Sequence, residues 1–278
     1  GQYSATRVES IEPMLVTAAA AQREWARWPL LERIALLRDW LVALQACAEA
    51  LAGAIVAEQG KPLAEARGEV AKSLQEFDCM LGHAVAVQGT VAASARAGVR
   101  SLVLRRPRGV IAGITPWNFP ILTPLRKIAP ALAFGNAIVL KPSELTPGAA
   151  CVVAESSRQC LPAGLLQLVL GGADVGQALV SSPRVAGVTF TGSVPTGKAI
   201  YAMAAANLAE VSLELGGKNA AIVDAIDDLE PCLDQIVAAA FACSGQRCTA
   251  ISRVIVIESH LEAVVAGLRQ RIEALRPG

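Results

Sequence analysis

The 278-residue chain has no stretch that approaches the roughly 18 uninterrupted apolar residues needed to cross a bilayer, although 53% of its residues are apolar. We therefore expect no membrane partner. The formal net charge is only +1, which gives no electrostatic reason to expect a nucleic acid as partner. The sequence also lacks a basic segment followed by an apolar core near its start, so we expect no signal peptide and a cytoplasmic location.

Paired cysteine spacing is missing as well. The cysteines are odd in number and scattered, and no two of them form a Cys-x-x-Cys pair. This pattern argues against a disulfide scaffold and against a zinc module, so we expect a reducing compartment and no metal. The seven residues are Cys47, Cys79, Cys151, Cys160, Cys232, Cys243 and Cys248.

Apolar periodicity separates a helical first part from an alternating second part. Early apolar residues recur at helical spacing, namely Leu31, Ile34, Leu37, Leu41 and Leu44. A further helix is predicted from about Leu63 to Met80, and extended structure from Val85 to Arg106. From Gly109 onward, β-rich runs alternate with helix-sized segments, which is typical of a parallel sheet covered on both faces.

The predicted strands of this second part are Val110–Ile114, Ala137–Leu140, Leu166–Leu170, Val185–Phe190, Val211–Leu215, Ala220–Val223 and Val254–Ile257. The predicted helices lie near residues 122–134, 146–160, 174–181, 195–206, 229–242 and 260–275. In such sheets ligands bind beyond the carboxyl ends of the strands, so the residues that follow each strand are the candidates for function.

Cys248 is the most informative single residue. A cysteine thiolate attacks electrophilic carbon strongly, and Cys248 follows the turn-prone pair Ser244-Gly245 and stands beside Arg247. It is therefore a candidate nucleophile. Most free cysteines are small core residues, so this residue taken alone leaves a structural role open.

Asn118 lies directly after a predicted strand, between Pro116 and Pro120. The two prolines fix the backbone on either side, which suits a hydrogen-bond donor that must not move. Together with Cys248, Asn118 is a candidate donor to an oxyanion, a contribution typically worth ~100- to 1000-fold in rate. The alternative is an asparagine in an ordinary turn.

Two further strand ends carry residues that suit a nucleotide. Lys141 can neutralise or hydrogen-bond a nucleotide, and Glu144 can accept hydrogen bonds from ribose hydroxyls. Gly192, Ser193 and Gly197 lie where a strand joins a helix, so the backbone can approach a pyrophosphate at the helix N-terminus. The second segment matches neither common phosphate-loop pattern. The alternatives are a solvated loop and a serine-capped helix start.

Glu214 lies inside the apolar run Val211–Leu215, just before Gly216-Gly217. Carboxylates are rare in apolar runs unless they are paired or functional. We expect partial burial, which would suit a general base. The alternative is an ion pair at the strand end, for example with Lys218.

Taken in order, five segments resemble the NAD(P)-dependent aldehyde dehydrogenase superfamily: Trp-Asn-Phe-Pro, Lys-Pro-Ser-Glu, Phe-Thr-Gly-Ser, Leu-Glu-Leu-Gly-Gly-Lys and Gly-Gln-Arg-Cys. The similarity runs from about Glu12 to the end and includes Gly60-Lys61-Pro62-Leu63. It implies an α/β fold, in which a Rossmann-like parallel-sheet cofactor domain precedes the first part of an α/β catalytic domain.

The resemblance also implies a division of the chain. Residues 1–84 would form the N-terminal helical part of the cofactor domain, and residues 85–106 an extended segment of an oligomerisation arm. Residues 107–216 would form the Rossmann-like NAD(P)-binding domain, and residues 217–278 the beginning of the catalytic domain.

A two-step oxidation follows from the same resemblance. Cys248 would attack the aldehyde, and Asn118 would hold the alkoxide of the resulting thiohemiacetal together with the Cys248 backbone N–H. Loss of hydride would leave a thioester, and Glu214 would activate the water that releases the acid. Lys127 matches a lysine near the site, in a proton relay. The implied cofactor contacts are Ile114, Thr115, Trp117, Asn118, Lys141, Ser143, Glu144, Gly176, Gly192, Ser193, Gly197 and Leu215.

Glu144 favours NAD over NADP as the cofactor, because a 2′-phosphate close to its carboxylate would be repelled. NADP stays possible, since the side chain can rotate and Lys141 is near in sequence. Glu214 favours release of the acyl group to water over its transfer to coenzyme A. The expected substrate is a small or medium aliphatic aldehyde, and the expected partner is a second copy of the chain, in a homodimer or homotetramer.

The family resemblance also leaves alternatives open. Family members run to nearly twice this length, so a later glutamate that grips the nicotinamide ribose and part of the substrate funnel are absent from these residues. A second hypothesis is therefore a truncated, catalytically inert nucleotide-binding fragment or subunit. A third is a thiol hydrolase that pairs Cys248 with His83 or His260, neither of which lies in a recognisable motif.

Overall fold

The structure is a computed structural model that describes residues 2–87, 89–224 and 228–276. Its helices are α1 (Ile11–Trp25), α2 (Leu30–Ala46), α3 (Ala48–Gln59), α4 (Leu63–Ala86), α5 (Leu122–Ala133), α6 (Gly148–Cys160), α7 (Ala173–Ser181), α8 (Val194–Ala205), α9 (Leu229–Phe241) and α10 (Leu261–Ala274). Its strands are β1 (Thr90–Ala93), β2 (Arg100–Val103), β3 (Val110–Ile114), β4 (Ala137–Lys141), β5 (Leu166–Leu168), β6 (Val185–Gly192), β7 (Glu210–Leu215), β8 (Asn219–Val223) and β9 (Ile251–Val256).

The central sheet holds five strands in the order β5-β4-β3-β6-β7. Strand β3 pairs in parallel with both β4 and β6, and β4 pairs in parallel with β5. The first strand of the sheet, β3, is thus its central strand. Strands β4 and β5 follow on one side of β3, and β6 and β7 lie on the other side. A change of direction of this kind opens a crevice at the carboxyl ends of the two central strands.

The sheet is covered by helices whose apolar faces are buried. Helix α5 packs on β3 and β4, α6 on β5, and α7 and α8 on β6, whereas α1 lies against β3, β4 and β5. Every residue of β4 is buried, as expected for a central parallel strand with helices on both faces. Among the described residues no single helix is long and apolar enough to cross a membrane. Helices α2 and α3, bent by 61° at their junction, reach that length and composition only when they are taken together.

Two sequence predictions in the N-terminal part are corrected. Helix α4 extends six residues beyond Met80, because Leu81 and Ala84 continue its buried face. The extended segment is therefore shorter than predicted and forms an antiparallel hairpin of β1 and β2. Leu31, expected on the apolar face of α2, is 67% exposed because it lies outside the arc buried by Ile34 and Leu37.

The chain forms two compact units, Gly1–Glu214 and Leu215–Gly278. The first contains the central sheet, its helices and the hairpin. The second contains β8 and β9, which pair in parallel, together with α9 and α10. Its apolar core is small and consists of Val223, Leu233, Ile236 and Val264 with partly buried neighbours.

The C-terminal end of α5 is satisfied by side chains from distant helices. The last carbonyls of a helix lack partners within the helix, and burial makes an unpaired one costly. The Trp25 indole donates to the carbonyl of Leu132 at 2.8 Å, and the buried Arg33 guanidinium donates to that of Ala133 at 3.2 Å. Helices α1 and α2 therefore fix the position of α5 on the sheet.

Candidate active site

Apart from Gly176 in α7 and Gly197 in α8, the predicted cofactor residues of the first unit lie where three neighbouring strands end. Ile114 is the last residue of β3, Lys141 the last of β4 and Gly192 the last of β6. Ile114 is directly opposite Lys141 in one ladder and opposite Phe190 in the other. The structure therefore brings these three segments to one edge of the sheet, at the crevice where α/β folds bind ligands.

The loop after β3 is tied to the loop after β4. The Thr115 backbone N–H donates to the Lys141 carbonyl at 3.1 Å, and the Thr146 hydroxyl donates to the Trp117 carbonyl at 3.1 Å. Thr115 is 3% exposed, and among the described residues its Oγ1 has no hydrogen-bond partner. A buried hydroxyl without a partner is costly, so this atom is available to a ligand at the sheet edge.

Lys141 is buried and holds main-chain carbonyls. Its Nζ donates to the carbonyl of Pro142 at 3.0 Å and to that of Gly171 at 2.7 Å, and it lies 3.6 Å from Glu144 Oε2. Burial lowers the pKa of Lys141, and Glu144 opposes that shift. Gly176 in α7 lies against the stem of this lysine, where an added Cβ would be 3.5 Å away. Lys141 thus joins the loop after β4 to the segment that precedes α7.

Glu144 and Ser143 remain beside the same crevice. Glu144 is exposed, whereas Ser143 is half-buried and its Oγ accepts the backbone N–H of Leu145 at 3.3 Å. The carboxylate of Glu144 is therefore accessible to a ligand, and its one described ion pair, with Lys141, is long.

The β6–α8 turn has the serine-capped helix start that the sequence left as an alternative. Ser193 Oγ accepts the backbone N–H of Thr196 at 3.3 Å and donates to its hydroxyl at 2.9 Å. Gly197 is buried in the first turn of α8. At Gly192 an added Cβ would lie 2.4 Å from Phe190 Cζ, so the turn admits glycine alone without a shift of that ring. A cap of this kind leaves other N–H groups at the helix N-terminus free to bind an anion.

Lys127 and Glu214 interact within the first unit. Lys127, in α5, is buried and its Nζ donates to Thr189 Oγ1 on β6 at 2.9 Å. Burial lowers the pKa of Lys127 to about 8, and the charge of Glu214 acts against that shift. Glu214 itself is exposed, which corrects the prediction of partial burial. The reason is its place on β7, an edge strand whose alternate residues, including Glu210, face outward.

Cys248 lies in an exposed turn of the second unit. The turn follows a short 3₁₀ helix and precedes β9. The Asn219 side chain holds it, because its Nδ2 donates to the carbonyl of Cys248 at 2.6 Å and to that of Ala250 at 3.2 Å. The thiol is therefore accessible on a main chain that is fixed from β8.

The backbone just before this turn is strained. Cys243, Ser244 and Gly245 have φ angles of 54°, 55° and 71°, in the left-handed region that non-glycine residues seldom adopt. At the non-glycine residues Cys243 and Ser244 such conformations cost of order 1 kcal/mol or more each, and they concentrate at functional sites. The Ser-Gly turn is recognisable in the sequence, whereas the parts played by Cys243, Asn219 and Thr189 depend on the folded backbone and have no local signal.

In residues 2–87, 89–224 and 228–276, no group of three or more His, Cys, Asp or Glu side chains is arranged to hold a metal ion. Leu215, the last predicted cofactor contact, is half-buried at the end of β7.

Comparison with known families identifies the class of protein. The sequence model of the aldehyde dehydrogenase family matches residues 1–278. The chain therefore belongs to the aldehyde dehydrogenase family, which confirms the resemblance found in the ordered motifs.

Two curated relatives of this chain are a semialdehyde dehydrogenase and a lactaldehyde dehydrogenase. It is 40% identical over 266 residues to a mitochondrial succinate-semialdehyde dehydrogenase of Arabidopsis thaliana, covering 95% of this chain and 50% of that protein. It is 40% identical over 274 residues to lactaldehyde dehydrogenase of Escherichia coli (strain K12), covering 98% and 57%. The chain spans about half the length of the curated relatives it matches.

Solved structures confirm the α/β fold class. A succinate-semialdehyde dehydrogenase from Burkholderia pseudomallei matches with a TM-score of 0.96 at 34% identity, covering 100% of this chain and 58% of that one. A Staphylococcus aureus betaine aldehyde dehydrogenase in complex with NAD+ matches with 0.93 at 32%, covering 98% and 56%. An E. coli NADP dependent enzyme matches with 0.93 at 34%, covering 97% and 56%.

Proposed function

We propose that the protein oxidises an aldehyde to a carboxylic acid with NAD(P)+ through a covalent intermediate on Cys248. The observation that carries this proposal is the exposed Cys248, which follows the strained backbone of Cys243 and Ser244 in a member of the aldehyde dehydrogenase family. The nucleotide-type turns at the ends of β3, β4 and β6 support it. A thiol hydrolase would leave those turns without a role.

In the first step, the Cys248 thiolate attacks the aldehyde carbon. A C–S bond forms, the carbonyl π bond breaks, and the charge moves to oxygen in a thiohemiacetal alkoxide. The Asn118 side chain and the Cys248 backbone N–H donate hydrogen bonds to this oxygen. Each such donor is typically worth ~100- to 1000-fold in rate, because it stabilises charge that develops in the transition state.

The second step releases the acid. Thr115 and the N-terminus of α8 would hold NAD(P)+, which would supply the acceptor for the hydride whose loss leaves a thioester on Cys248. Glu214 then takes a proton from water, whose oxygen attacks the thioester carbon. The C–S bond breaks and the thiolate returns to Cys248. The exposed carboxylate of Glu214 can reach water directly, although it lacks the partial burial expected from the sequence.

Lys127 is proposed as a proton relay of the same reaction. Its ammonium is buried beside Thr189 and within electrostatic reach of Glu214, and its pKa of about 8 lets it exchange a proton near neutral pH. The lysine can thus pass on the proton that Glu214 takes from water.

A pH titration of stability tests this environment of Lys127. Its pKa is about 8 in the folded chain against an ordinary 10.5, so between these pH values the unfolded chain binds more protons and stability rises with pH. At pH 7 Lys127→Met should therefore have a larger free energy of unfolding than wild type. The difference between the two proteins should decrease by up to about 3 kcal/mol as the pH rises to 10.5. Urea unfolding of both proteins across this range measures it.

The exposed Lys198 in α8 offers a matched control. Replacing it by methionine should give a stability difference from wild type that changes little over the same pH range. A difference for Lys127→Met that is equally flat would contradict the proposed environment.

The described residues fit a dinucleotide cofactor. Thr115 offers a buried hydroxyl without a protein partner, and the N-terminus of α8 offers backbone N–H groups for phosphate. We propose NAD as the preferred form, because the exposed carboxylate of Glu144 would repel a 2′-phosphate. NADP remains an alternative.

Glu144→Gln should shift this preference. Removal of the carboxylate relieves the repulsion, so kcat/KM with NADP relative to NAD should rise about 10-fold, which corresponds to about 1.4 kcal/mol. Initial rates with both nucleotides at a saturating aldehyde measure the ratio. Glu155→Gln, an exposed carboxylate on α6 away from the strand ends, should leave the ratio unchanged. An unchanged ratio in Glu144→Gln would remove Glu144 from cofactor selection.

The proposed substrate is a small or medium aliphatic aldehyde, as the names of the relatives suggest. Formation of reduced nicotinamide by the intact protein, measured over a panel that includes succinate semialdehyde, lactaldehyde and longer aliphatic aldehydes, tests the reaction and ranks the substrates. Ester hydrolysis without any nucleotide-dependent oxidation would contradict the proposal and favour a thiol hydrolase.

A homodimer or homotetramer is proposed as the assembly. The β1–β2 hairpin, which the family resemblance assigns to an oligomerisation arm, exposes apolar side chains such as Val91 and Leu102. Light scattering on the intact protein would measure the assembly. The cytoplasmic location stays a prediction.

A further inference from the structure

A buried ion pair lies directly behind the loop that carries Asn118. Lys61 Nζ and Glu69 Oε2 are 2.5 Å apart, and both side chains are 1% exposed. Lys61 follows α3, and Glu69 lies in the second turn of α4, so neither belongs to the sheet or to its strand-end loops.

Lys61 contacts the main chain of Asn118. Its Nζ donates to the Asn118 carbonyl at 3.0 Å, and the Gln59 side chain donates to the same oxygen at 2.9 Å. The ammonium also lies 4.3 Å from the centre of the Phe119 ring, a cation–π contact with the next residue. Two donors that lie 57 and 59 residues away in sequence therefore hold one carbonyl.

Glu69 holds the other side of the same loop. Its Oε1 accepts the backbone N–H groups of Ile121 at 3.1 Å and Leu122 at 3.2 Å, which begin α5. A carboxylate at a helix N-terminus satisfies N–H groups that have no partner within the helix. The ion pair thus binds the main chain at Asn118, through Lys61, and three residues later at Ile121, through Glu69.

These contacts are of the strong kind. Hydrogen bonds with a charged partner are about twice as strong as neutral ones. Lys61 Nζ and Glu69 Oε1 both bond to main-chain atoms of the loop, so the arrangement fixes the position of its backbone, and the Phe119 ring adds a side-chain contact. A donor to a developing charge must be held in this way, because ~1 Å of misplacement can cost 100-fold in rate.

We propose that Lys61 and Glu69 are positioning residues that hold the Asn118 amide in place for the alkoxide. This inference rests on the proposed function, in which Asn118 is that donor. Gln59 assists through its neutral hydrogen bond to the same carbonyl. The pair acts through Asn118 and touches neither substrate nor cofactor.

The test is a double-mutant cycle in the intact protein. Lys61→Met with Glu69→Gln removes both charges together, so that no lone buried charge is left. We expect the rate of the first burst of reduced nicotinamide to fall about 10-fold, while the Kd for NAD changes less than about threefold. In an Asn118→Ala background the same pair of substitutions should cause no further loss, because its target is gone.

The outcomes separate the inference from the proposed function. A burst rate unchanged by Asn118→Ala would overturn the role of Asn118 itself. Loss with Asn118→Ala, together with no loss from the Lys61/Glu69 substitutions, would overturn the positioning role alone. The positioning role would also be overturned if the Lys61/Glu69 substitutions lowered the burst rate by the same factor in the wild-type and Asn118→Ala backgrounds, because the pair would then act independently of Asn118.

Two further measurements keep the inference testable if the double variant folds poorly or the burst is too small. Gln59→Leu removes the neutral donor and no charge, and we expect a burst rate about threefold lower, equivalent to less than 1 kcal/mol. Hydrogen exchange of residues 115–123 should quicken in the Lys61/Glu69 variant. The control is Arg38→Met with Asp78→Asn, an exposed pair that joins α2 and α4. Equal exchange in all three proteins would overturn the positioning role.

Discussion

Cys248→Ser should abolish aldehyde oxidation while the fold is retained. A serine hydroxyl without an adjacent base is a far poorer nucleophile than a thiolate, and loss of a catalytic nucleophile lowers kcat by roughly 10³- to 10⁶-fold. Because the side chain is exposed, the free energy of unfolding should change by no more than about 0.5 kcal/mol. Steady-state formation of reduced nicotinamide and urea unfolding measure the two quantities.

The matched control is Cys79→Ser, which changes another exposed free cysteine, on α4. It should retain full activity. A second arm uses a thiol-specific alkylating reagent, which should inactivate wild type and Cys79→Ser alike, with protection by aldehyde. Residual oxidation by Cys248→Ser at more than a tenth of the wild-type rate would remove Cys248 from the reaction, whatever the alkylation result.

Glu214→Gln should separate the two steps of the reaction. Formation of the thioester needs no water, so rapid mixing should still give one burst of reduced nicotinamide per site. Release of the acid does need activated water, so the steady-state rate should fall by roughly 100- to 10,000-fold, the usual contribution of a general base. Loss of the Glu214 charge also removes an interaction that raises the pKa of Lys127, so that pKa should fall.

Glu210→Gln is the control for this substitution. Glu210 lies on the same outward face of β7, and its exposed ion pair with Arg108 contributes little to stability. The control should keep both the burst and the steady state. Equal loss of burst and steady state in Glu214→Gln would place Glu214 before hydride loss and contradict its role in acid release.

The strands of the central sheet could be predicted because their signals are local. Val110–Ile114 is an apolar run bounded by glycine and proline, and β3 has those same limits. The end of α4 could not be found in this way, since small apolar residues after Met80 suit a helix and an extended segment equally well. Only the burial of Leu81 and Ala84 against the fold decides between them.

The candidate site likewise has features that local sequence signals predict and features that depend on the whole fold. Ordered motifs named the chemical groups, and Cys248 lies on an accessible turn as a nucleophile requires. The exposure of Glu214 depends on whether its strand is central or at an edge, which is a property of the whole sheet. Hydrogen bonds such as Asn219 to Cys248 join positions 29 residues apart, and no spacing rule in the sequence predicts them.

The ties at both ends of α5 have a consequence for how the chain folds. Trp25 and Arg33 complete its last turn, and Glu69 completes its first, across 52 to 107 residues of sequence. Contacts of such long range form late, because loop closure must come before the contacts reward it. A polypeptide made of residues 107–216 alone would lack these three side-chain partners, so we expect α5 to be less stable there than in the whole chain.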